Sequence, residues 1–564
     1  PYLIIFLIFF TFECCYKLNR YYEPICITKK GMKCVYKNYL QSIFLYDLLL
    51  FAEALLFNVI YIFANKQFSV SLVIHTLVVL IIYFLLCILS AIFIGFFLSK
   101  IKVRFVSYII MLIIAISETN LMDSLSVGVY NSTGTDITKS LKFFNMVPAS
   151  IGWTPNMHSG YIITLDKLSQ ILFFIFLALL FCCLTDNEIS KNNKILKSTI
   201  CSCLCVITLV GYILPFSAPQ MNLSASGVSA DKRYYENNEQ LSETADFRVD
   251  SYDLEFNFRN DLNAIATIKT DNYKNEYKFT LYHGYKISKI TDGNNDELDY
   301  TRDSDYLTIN NTSKSKLIKI YYHGSCDKYY SNYLSAFLPG NFAFYPIPGF
   351  NEMYSKYSYS GFNNLSLPYE TDFNVTVHSL KKVQCNLESV TNNEFKGKSD
   401  SLTLLSGFID CVTVDKTQIY YPYFNDAYNS DTINEKLETF VSKNPNIKKI
   451  FIIPDINLED IEFVKTFNDY MITASIDDID RLGFISKISA NKMELYDAVN
   501  AYMNYPEYFE FLKENSSEEL QKAIPVLEEV LKNDNDCKKL EKINGYLIDN
   551  ADERSFSEFL CELR

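Results

Sequence analysis

Two hydrophobic patterns divide the chain. Up to residue 216 the apolar residues come in long unbroken runs, and from Asp246 they alternate with polar ones. An apolar run of about 20 residues crosses a bilayer as a helix. Six runs are candidates: 1–16, 43–64, 70–98, 104–120, 168–184 and 198–216. The run 104–120 is short and closes at Glu118. The first opens at Pro1 with no Met or basic stretch before it, so it reads as a span cut short rather than a signal peptide. Between the fourth and fifth runs, 121–167 carries Phe143, Phe144 and Trp153, which suits either a re-entrant or interfacial segment or an ordinary folded loop.

Beyond a polar linker, 217–245, the period changes to two. Tyr252, Leu254, Phe256 and Phe258 alternate with Asp253, Glu255 and Asn257, the mark of a half-buried strand. Similar runs follow at 277–290, 305–310, 316–322, 373–378 and 402–414, with a turn at Asp292–Asn295. They predict a β-sandwich over 246–425. From 426 the pattern is mixed α/β, then helical. Residues 449–454 read as a buried strand, followed by helices near 458–470, 491–503, 506–514, 517–532, 536–548 and 555–563. Ser516-x-x-Glu519 and Ser555-x-x-Glu558 read as capping boxes that place two helix starts, and Pro525 is expected to kink the fourth of these helices. The expected fold is therefore a multi-domain membrane protein: an α-helical transmembrane bundle (1–216), a linker (217–245), a β-sandwich (246–425) and an α/β-to-helical region (426–564).

Charge sharpens this division. Residues 1–216 carry 16 Lys/Arg against 10 Asp/Glu, and residues 217–564 carry 36 against 55, which together give the net −13 of the 564-residue chain. The split excludes a wholly soluble enzyme, and the acidic half argues against nucleic acid, which is bound through clustered Lys/Arg. Lys and Arg concentrate in 17–42, 99–104 and 185–197, alternate connections along the chain. Basic connections stay cytoplasmic, so everything after 216 is expected outside. Pro1 would also start outside, which predicts at least one earlier span.

Candidate chemistry is sparse. In the second run Asp47 stands near the cytoplasmic end, within reach of water, and Glu53 about ten residues in, where a charge is expensive. Glu53 either lines a polar path or meets a partner helix, or is protonated or paired for structural reasons; both acids are transport-path candidates. His75 reads as interfacial. Cys201, Cys203 and Cys205 resemble a metal motif, but their neighbours are apolar and they read as small packed hydrophobes. Gly397-Lys398-Ser399 mimics the end of a phosphate-binding loop, but Asn392 replaces the required glycine.

The outer half resembles the amino-terminal β-sandwich of the M1 (gluzincin) aminopeptidases over 246–425. The resemblance rests on Tyr252–Phe258, Phe279–His283 followed by Lys286–Ile290, Ile318–Gly324, and the Leu-Pro, aromatic, Tyr-Pro order of Leu338–Pro346. Polytopic bacterial proteins with such an outer domain resemble permease subunits of ABC-2-type exporters. That resemblance implies a multi-pass protein of the bacterial cell membrane, in contact with lipid, with residues 217–564 extracytoplasmic. It also implies an ABC ATP-binding subunit on the cytoplasmic loops and, in some assemblies, a second permease subunit. M1 chemistry needs two His at i and i+4 on one helix for zinc, with a Glu as general base. The chain has five His, at 75, 158, 283, 323 and 378, none closer than 40 residues to another. No catalytic residue, metal ligand or cofactor is therefore expected, and ATP hydrolysis belongs to a separate chain. A membrane-anchored zinc aminopeptidase with a missing or degenerate motif, and a membrane-tethered sensor or assembly protein, are the alternatives.

Overall fold

The computed structural model describes residues 2–21, 31–64, 70–117, 121–133, 137–141, 165–185, 191–214, 230–326, 328–355, 361–423, 430–453, 464–477, 492–504, 506–532, 538–549 and 554–564, with 143, 160, 479 and 552. They fall into two compact units, Pro1–Ala230 and Asp231–Arg564.

The first unit is helical: α1 (Tyr2–Tyr21), α2 (Gly31–Ala64), α3 (Val70–Leu80), a π-helical stretch (Ile81–Leu86) running into α4 (Cys87–Leu98), α5 (Arg104–Ser117), α6 (Leu121–Thr133), α7 (Thr138–Leu141), α8 (Leu165–Thr185) and α9 (Lys191–Ile213). Ile8 and Phe12 of α1, Ala91 and Ile94 of α4, Met111 of α5 and Ile171 of α8 share one core. Glycine permits the tightest crossing. A Cβ on Gly95 would stand 2.6 Å from the Ile8 carbonyl oxygen and 2.9 Å from Thr11 Cβ, so α1 and α4 approach backbone to side chain only because that Cβ is missing.

Among the described residues four stretches are long and apolar enough to cross a membrane: Gln41–Ala64, Leu72–Leu98, Leu165–Leu184 and Asn192–Ile213. Leu45, Leu49, Leu56, Phe57 and Ile60 on α2 are all exposed, the surface of a helix made for an apolar surrounding rather than for water. Of the expected span 104–120, residues 118–120 lie outside the described residues; its described part, α5, has 14 residues, about 21 Å at 1.5 Å per residue, against the roughly 30 Å hydrocarbon core. In the connection 121–167, Phe143 packs against Phe173, Phe174 and Tyr212, and its carbonyl accepts from buried Gln170 at 2.6 Å. Trp153 lies outside the described residues.

The second unit opens with α10 (Ala230–Asn237) and then builds strands in chain order: β1 (Val249–Phe258), β2 (Leu262–Thr270), β3 (Glu276–Thr280), β4 (Tyr285–Asp292), β5 (Tyr300–Asp303), β6 (Tyr306–Asn310), β7 (Leu317–Gly324), β8 (Ala336–Leu338), β9 (Ile347–Pro348), β10 (Thr371–His378), β11 (Val383–Cys385), β12 (Glu388–Thr391), β13 (Glu394–Ser399), β14 (Leu404–Ser406), β15 (Ile409–Val414) and β16 (Thr417–Pro422). A seven-stranded sheet runs β12-β13-β10-β1-β2-β7-β4, with β1 and β10 parallel. Sheets β5-β6-β3-β9 and β11-β14-β8 complete the β-rich part. Tyr252, Leu254, Phe256 and Phe258 are all buried, as the alternation of β1 requires. At the expected turn, Asp292 Oδ1 accepts from the backbone N–H of Asn294 and Asp296 at 2.8 and 3.0 Å.

The chain continues through α11 (Ser430–Lys443), β17 (Lys449–Ile452), β18 (Val464–Thr466) and β19 (Tyr470–Thr473). With β15 and β16 these strands form a five-stranded sheet, β15-β16-β17-β19-β18. One face of it carries Phe451, Tyr470 and Ile472 into the core of the larger sheet. The other packs Ile450 and Ile452 against Ile433, Leu437 and Val441 of α11. The run 402–414 therefore divides between two sheets. Of the helix expected at 458–470, residues 458–463 lie outside the described residues, and from 464 the chain is not helical: Val464–Thr466 and Tyr470–Thr473 are antiparallel strands closed by the Phe467 N–H on the Tyr470 carbonyl at 2.9 Å. A three-residue strand has too few positions to display a period.

Five helices follow: α12 (Met493–Asn504), α13 (Pro506–Asn515), α14 (Glu518–Lys532), α15 (Lys538–Ile548) and α16 (Phe556–Leu563). Leu520, Ile524, Leu527 and Leu531 are the buried stripe of α14, and Pro525 sits on its exposed side within a continuous helix. The capping box at Ser555 and Glu558 forms as expected. At α14 the cap is one residue later than expected: Ser517 Oγ accepts from the Leu520 N–H at 3.3 Å, while Ser516 Oγ donates back to the Leu512 carbonyl.

Candidate functional site

The two acids of α2 lie in different surroundings. Asp47 is 2% exposed, and both its carboxylate oxygens are buried without a hydrogen-bond partner among the described residues. Glu53 is exposed. Six residues apart at 100° each, the two project about 120° apart around the helix axis. They do not share a face, so α2 does not bring them together. Asp47, expected within reach of water, is instead the enclosed one. Hydropathy gives depth along a span but not the side it presents, which is why the sequence separated the two acids by depth and not by side. A third acid of this unit was not singled out from sequence: Glu13 on α1, which accepts from Arg104 Nη2 at 2.7 and 2.9 Å and from the Tyr108 hydroxyl.

The three thiols Cys201, Cys203 and Cys205 lie on α9, Cys205 buried and Cys203 exposed, all free. Successive i, i+2 positions on a helix point away from each other. Gly397-Lys398-Ser399 lies in strand β13, paired with β10, so it makes no phosphate-cradling loop.

Four of the histidines are described, and they are scattered. His75 is in α3. His323 Nδ1 is 3.1 Å from Ser288 Oγ, and His378 Nε2 is 3.1 Å from Glu255 Oε1, both exposed. His158 lies outside the described residues. Among the described residues no three of His, Cys, Asp and Glu are grouped to hold a metal. The helix that the M1 resemblance puts in place of a zinc helix is α12. Its Leu495, Ala498 and Val499 are core. Lys492, just before it, is buried with Nζ donating to the carbonyls of Tyr546 and Asp549 at 3.0 and 2.8 Å.

His283 belongs to the densest polar cluster of the second unit. Its backbone N–H and Nδ1 meet Asp305 Oδ1 at 2.5 and 3.2 Å, and Nδ1 lies 3.3 Å from the Tyr235 hydroxyl. The Tyr234 ring stacks on the imidazole with centroids 3.6 Å apart. Behind it the Tyr282 hydroxyl donates to Asp231 Oδ1 at 2.5 Å. Burial pushes the Asp231 carboxyl up, partly offset by the Tyr282 hydrogen bond and the nearby imidazole. Arg302 adds a cation beside this cluster, with its guanidinium directed at backbone carbonyls. Four elements or loops supply these groups, so no local motif announces them. The arrangement can hold a ligand or a proton, but it lacks a nucleophile paired with a base in the sense that covalent catalysis needs.

No family model matches the chain, and no curated protein matches it. Among solved structures, native leukotriene A4 hydrolase from Saccharomyces cerevisiae aligns at 12% identity over 42% of this chain and 42% of that one, with a TM-score of 0.28. Yeast LTA4 hydrolase in complex with bestatin aligns at 11% identity over 54% and 56%, with a TM-score of 0.31. The M1 zinc metallopeptidase from Deinococcus radiodurans aligns at 10% over 38% and 58%, with a TM-score of 0.27. The chain thus spans less than two thirds of the length of each. What the chain presents is a unit with four helices fit to cross a membrane and a β-rich unit similar, in part and at low identity, to M1 zinc peptidases.

Proposed function

We propose that this chain is the permease subunit of a bacterial ABC-type exporter and that its peptidase-like unit is a non-catalytic binding module on the outer side of the membrane. The observation that carries the non-catalytic part is the histidine spacing. With no two His closer than 40 residues, no helix of this chain can present the i, i+4 pair that an M1 zinc site requires. The permease part is supported by four apolar helices of spanning length and by Asp47, a buried acid whose oxygens find no partner within the described residues. Such an acid inside a span commonly marks a path for a solute or proton. Glu53, exposed on another side of α2, would face lipid or a second permease subunit. Energy would come from an ATP-binding subunit docked on 17–42, 99–104 and 185–197.

The test is affinity purification of the full chain from its own membranes in mild detergent, with protein identification and metal analysis on the same sample. Recovery of a stoichiometric ATP-hydrolysing chain and less than about 0.1 zinc per chain is the expected result. A multi-pass protein recovered without any ATPase would instead be a tethered sensor or assembly protein. Tightly held zinc, lost together with aminopeptidase activity on chelation, would establish the anchored peptidase.

A further inference from the structure

Beside His283 the surface of the second unit forms an open pocket of about 460 Å³, a volume within the range of small-molecule sites. Tyr234, Tyr300, His283, Ser304, Lys286 and Arg302 form most of its wall, and none of its eight lining residues is acidic. That is unexpected in a region with 36 basic against 55 acidic residues.

The two cations keep their charge available. Arg302 donates from Nε to the Ser304 carbonyl at 3.0 Å, from Nη2 to those of Leu281 and Tyr282 at 3.0 and 2.8 Å, and from Nη1 to that of Tyr285. Neutral carbonyls fix the guanidinium without neutralising it and leave one Nη1–H of its five unused. Asp305, whose charge acts on Arg302 without an ion-pair contact among the described residues, is engaged by His283 through Oδ1. Lys286 on β4 is exposed and makes no ion pair among the described residues. The aromatic part of the wall is equally well placed. Tyr300 is 37% exposed. Tyr234 is held in the wall by its stack on His283 and by a 2.8 Å hydrogen bond to Ser304 Oγ.

We propose that this pocket binds a small organic anion with a flat body, its carboxylate or phosphate met by Lys286 and the free N–H of Arg302 and its ring lying against Tyr300 and Tyr234. Aromatic faces supply sequence-independent apolar contact, and a fixed guanidinium is suited to an oxyanion. The inference goes beyond the transport reading. It depends on the second unit alone and survives if no ATPase partner exists.

The test uses the full chain in detergent and calorimetric titration with four probes: adenosine monophosphate and indole-3-acetate, and their neutral counterparts adenosine and indole-3-acetamide. At least one anion should bind saturably, about tenfold or more tighter than its neutral counterpart. Lys286→Glu, an exposed position, should weaken that binding by about tenfold or more. Lys396→Glu, on exposed β13 far along the sheet order, should leave it unchanged. Binding of the nucleotide alone assigns a phosphate, and binding of the indole acid alone assigns a carboxylate. Failure of both anions to bind below about 10 mM overturns the proposal, as does equal binding of the neutral probes or indifference to Lys286→Glu.

Discussion

Arg104 donates from Nη2 to both carboxylate oxygens of Glu13, at 2.7 and 2.9 Å, and so ties the first apolar helix to the fifth across 91 residues of sequence. The Tyr108 hydroxyl, one turn on from Arg104, closes the group by donating to the same carboxylate and accepting from the guanidinium at 2.8 Å. An acid near the end of an apolar helix is costly unless such donors meet it.

Glu13→Gln and Arg104→Gln should each lower the thermal midpoint of the purified protein in detergent. Both side chains are partly exposed, 28% and 45%, so the expected loss is small beside that of a buried pair. The double variant should cost less than the sum of the singles. Strict additivity in that cycle would show that the pair is not coupled.

Gly95→Val should separate α1 from α4. The new Cβ would meet the Ile8 carbonyl oxygen at 2.6 Å, a backbone contact that cannot rotate away. A destabilisation of about 1–3 kcal/mol is expected, read as early aggregation on heating. Gly128→Val on α6 is the control, since nothing lies within 4 Å of a Cβ built there. Equal behaviour of the two variants would contradict the crossing.

The acids of α2 should respond in opposite ways. Glu53→Leu replaces an exposed mid-span carboxylate by an apolar side chain and should raise the inserted yield, since insertion of such a charge costs roughly 2.5–3.5 kcal/mol. Asp47→Asn removes the charge of an enclosed, unpartnered acid. It should leave the inserted yield unchanged and abolish export if Asp47 lines the path. Unimpaired export by Asp47→Asn would remove Asp47 from any transport role. Loss of export with Glu53→Leu would place a partner helix against that side.

Stability of the carboxy-terminal helices should depend on Asp497. Burial, reinforced by Glu494 one turn earlier, pushes this carboxyl up to about 6. In the unfolded chain it titrates near 4, so between roughly pH 4 and 6 the folded form binds more protons. Stability from this group is therefore greatest below that window and falls as pH rises through it. Asp497→Asn should raise the thermal midpoint at pH 7.5 relative to the native chain and change it little at pH 4.5. An equal shift at both values would mean that ionisation of Asp497 is not involved.

Much of the local structure was legible because it repeats at a fixed period. The burial of alternate residues from Tyr252 to Phe258 follows from the period-two pleat. The stripe Leu520, Ile524, Leu527 and Leu531 follows from the helical repeat, and the Ser555–Glu558 box from capping chemistry confined to four residues. Where the signal was one residue wide it slipped. Ser516 and Ser517 are chemically identical, and only the preceding helix, which takes the Ser516 hydroxyl on the Leu512 carbonyl, makes Ser517 the cap.

What the sequence by itself determined is where the chain is apolar throughout, where it alternates, how its charge divides, and that its histidines are too far apart for a helical zinc pair. These properties are additive along the chain or depend on spacings of a few residues. The tertiary structure alone decided which side of α2 encloses its acid, that Glu13 and Arg104 meet, and that Val464–Thr466 is a strand. It also decided that Asp231, Tyr234, Arg302 and Asp305 gather about the His283 imidazole beside an open pocket. The reason is physical: each of these depends on contacts between residues tens of positions apart. Such contacts form only when whole sheets and helices bury their apolar faces together, and no local pattern records which partners those faces will find.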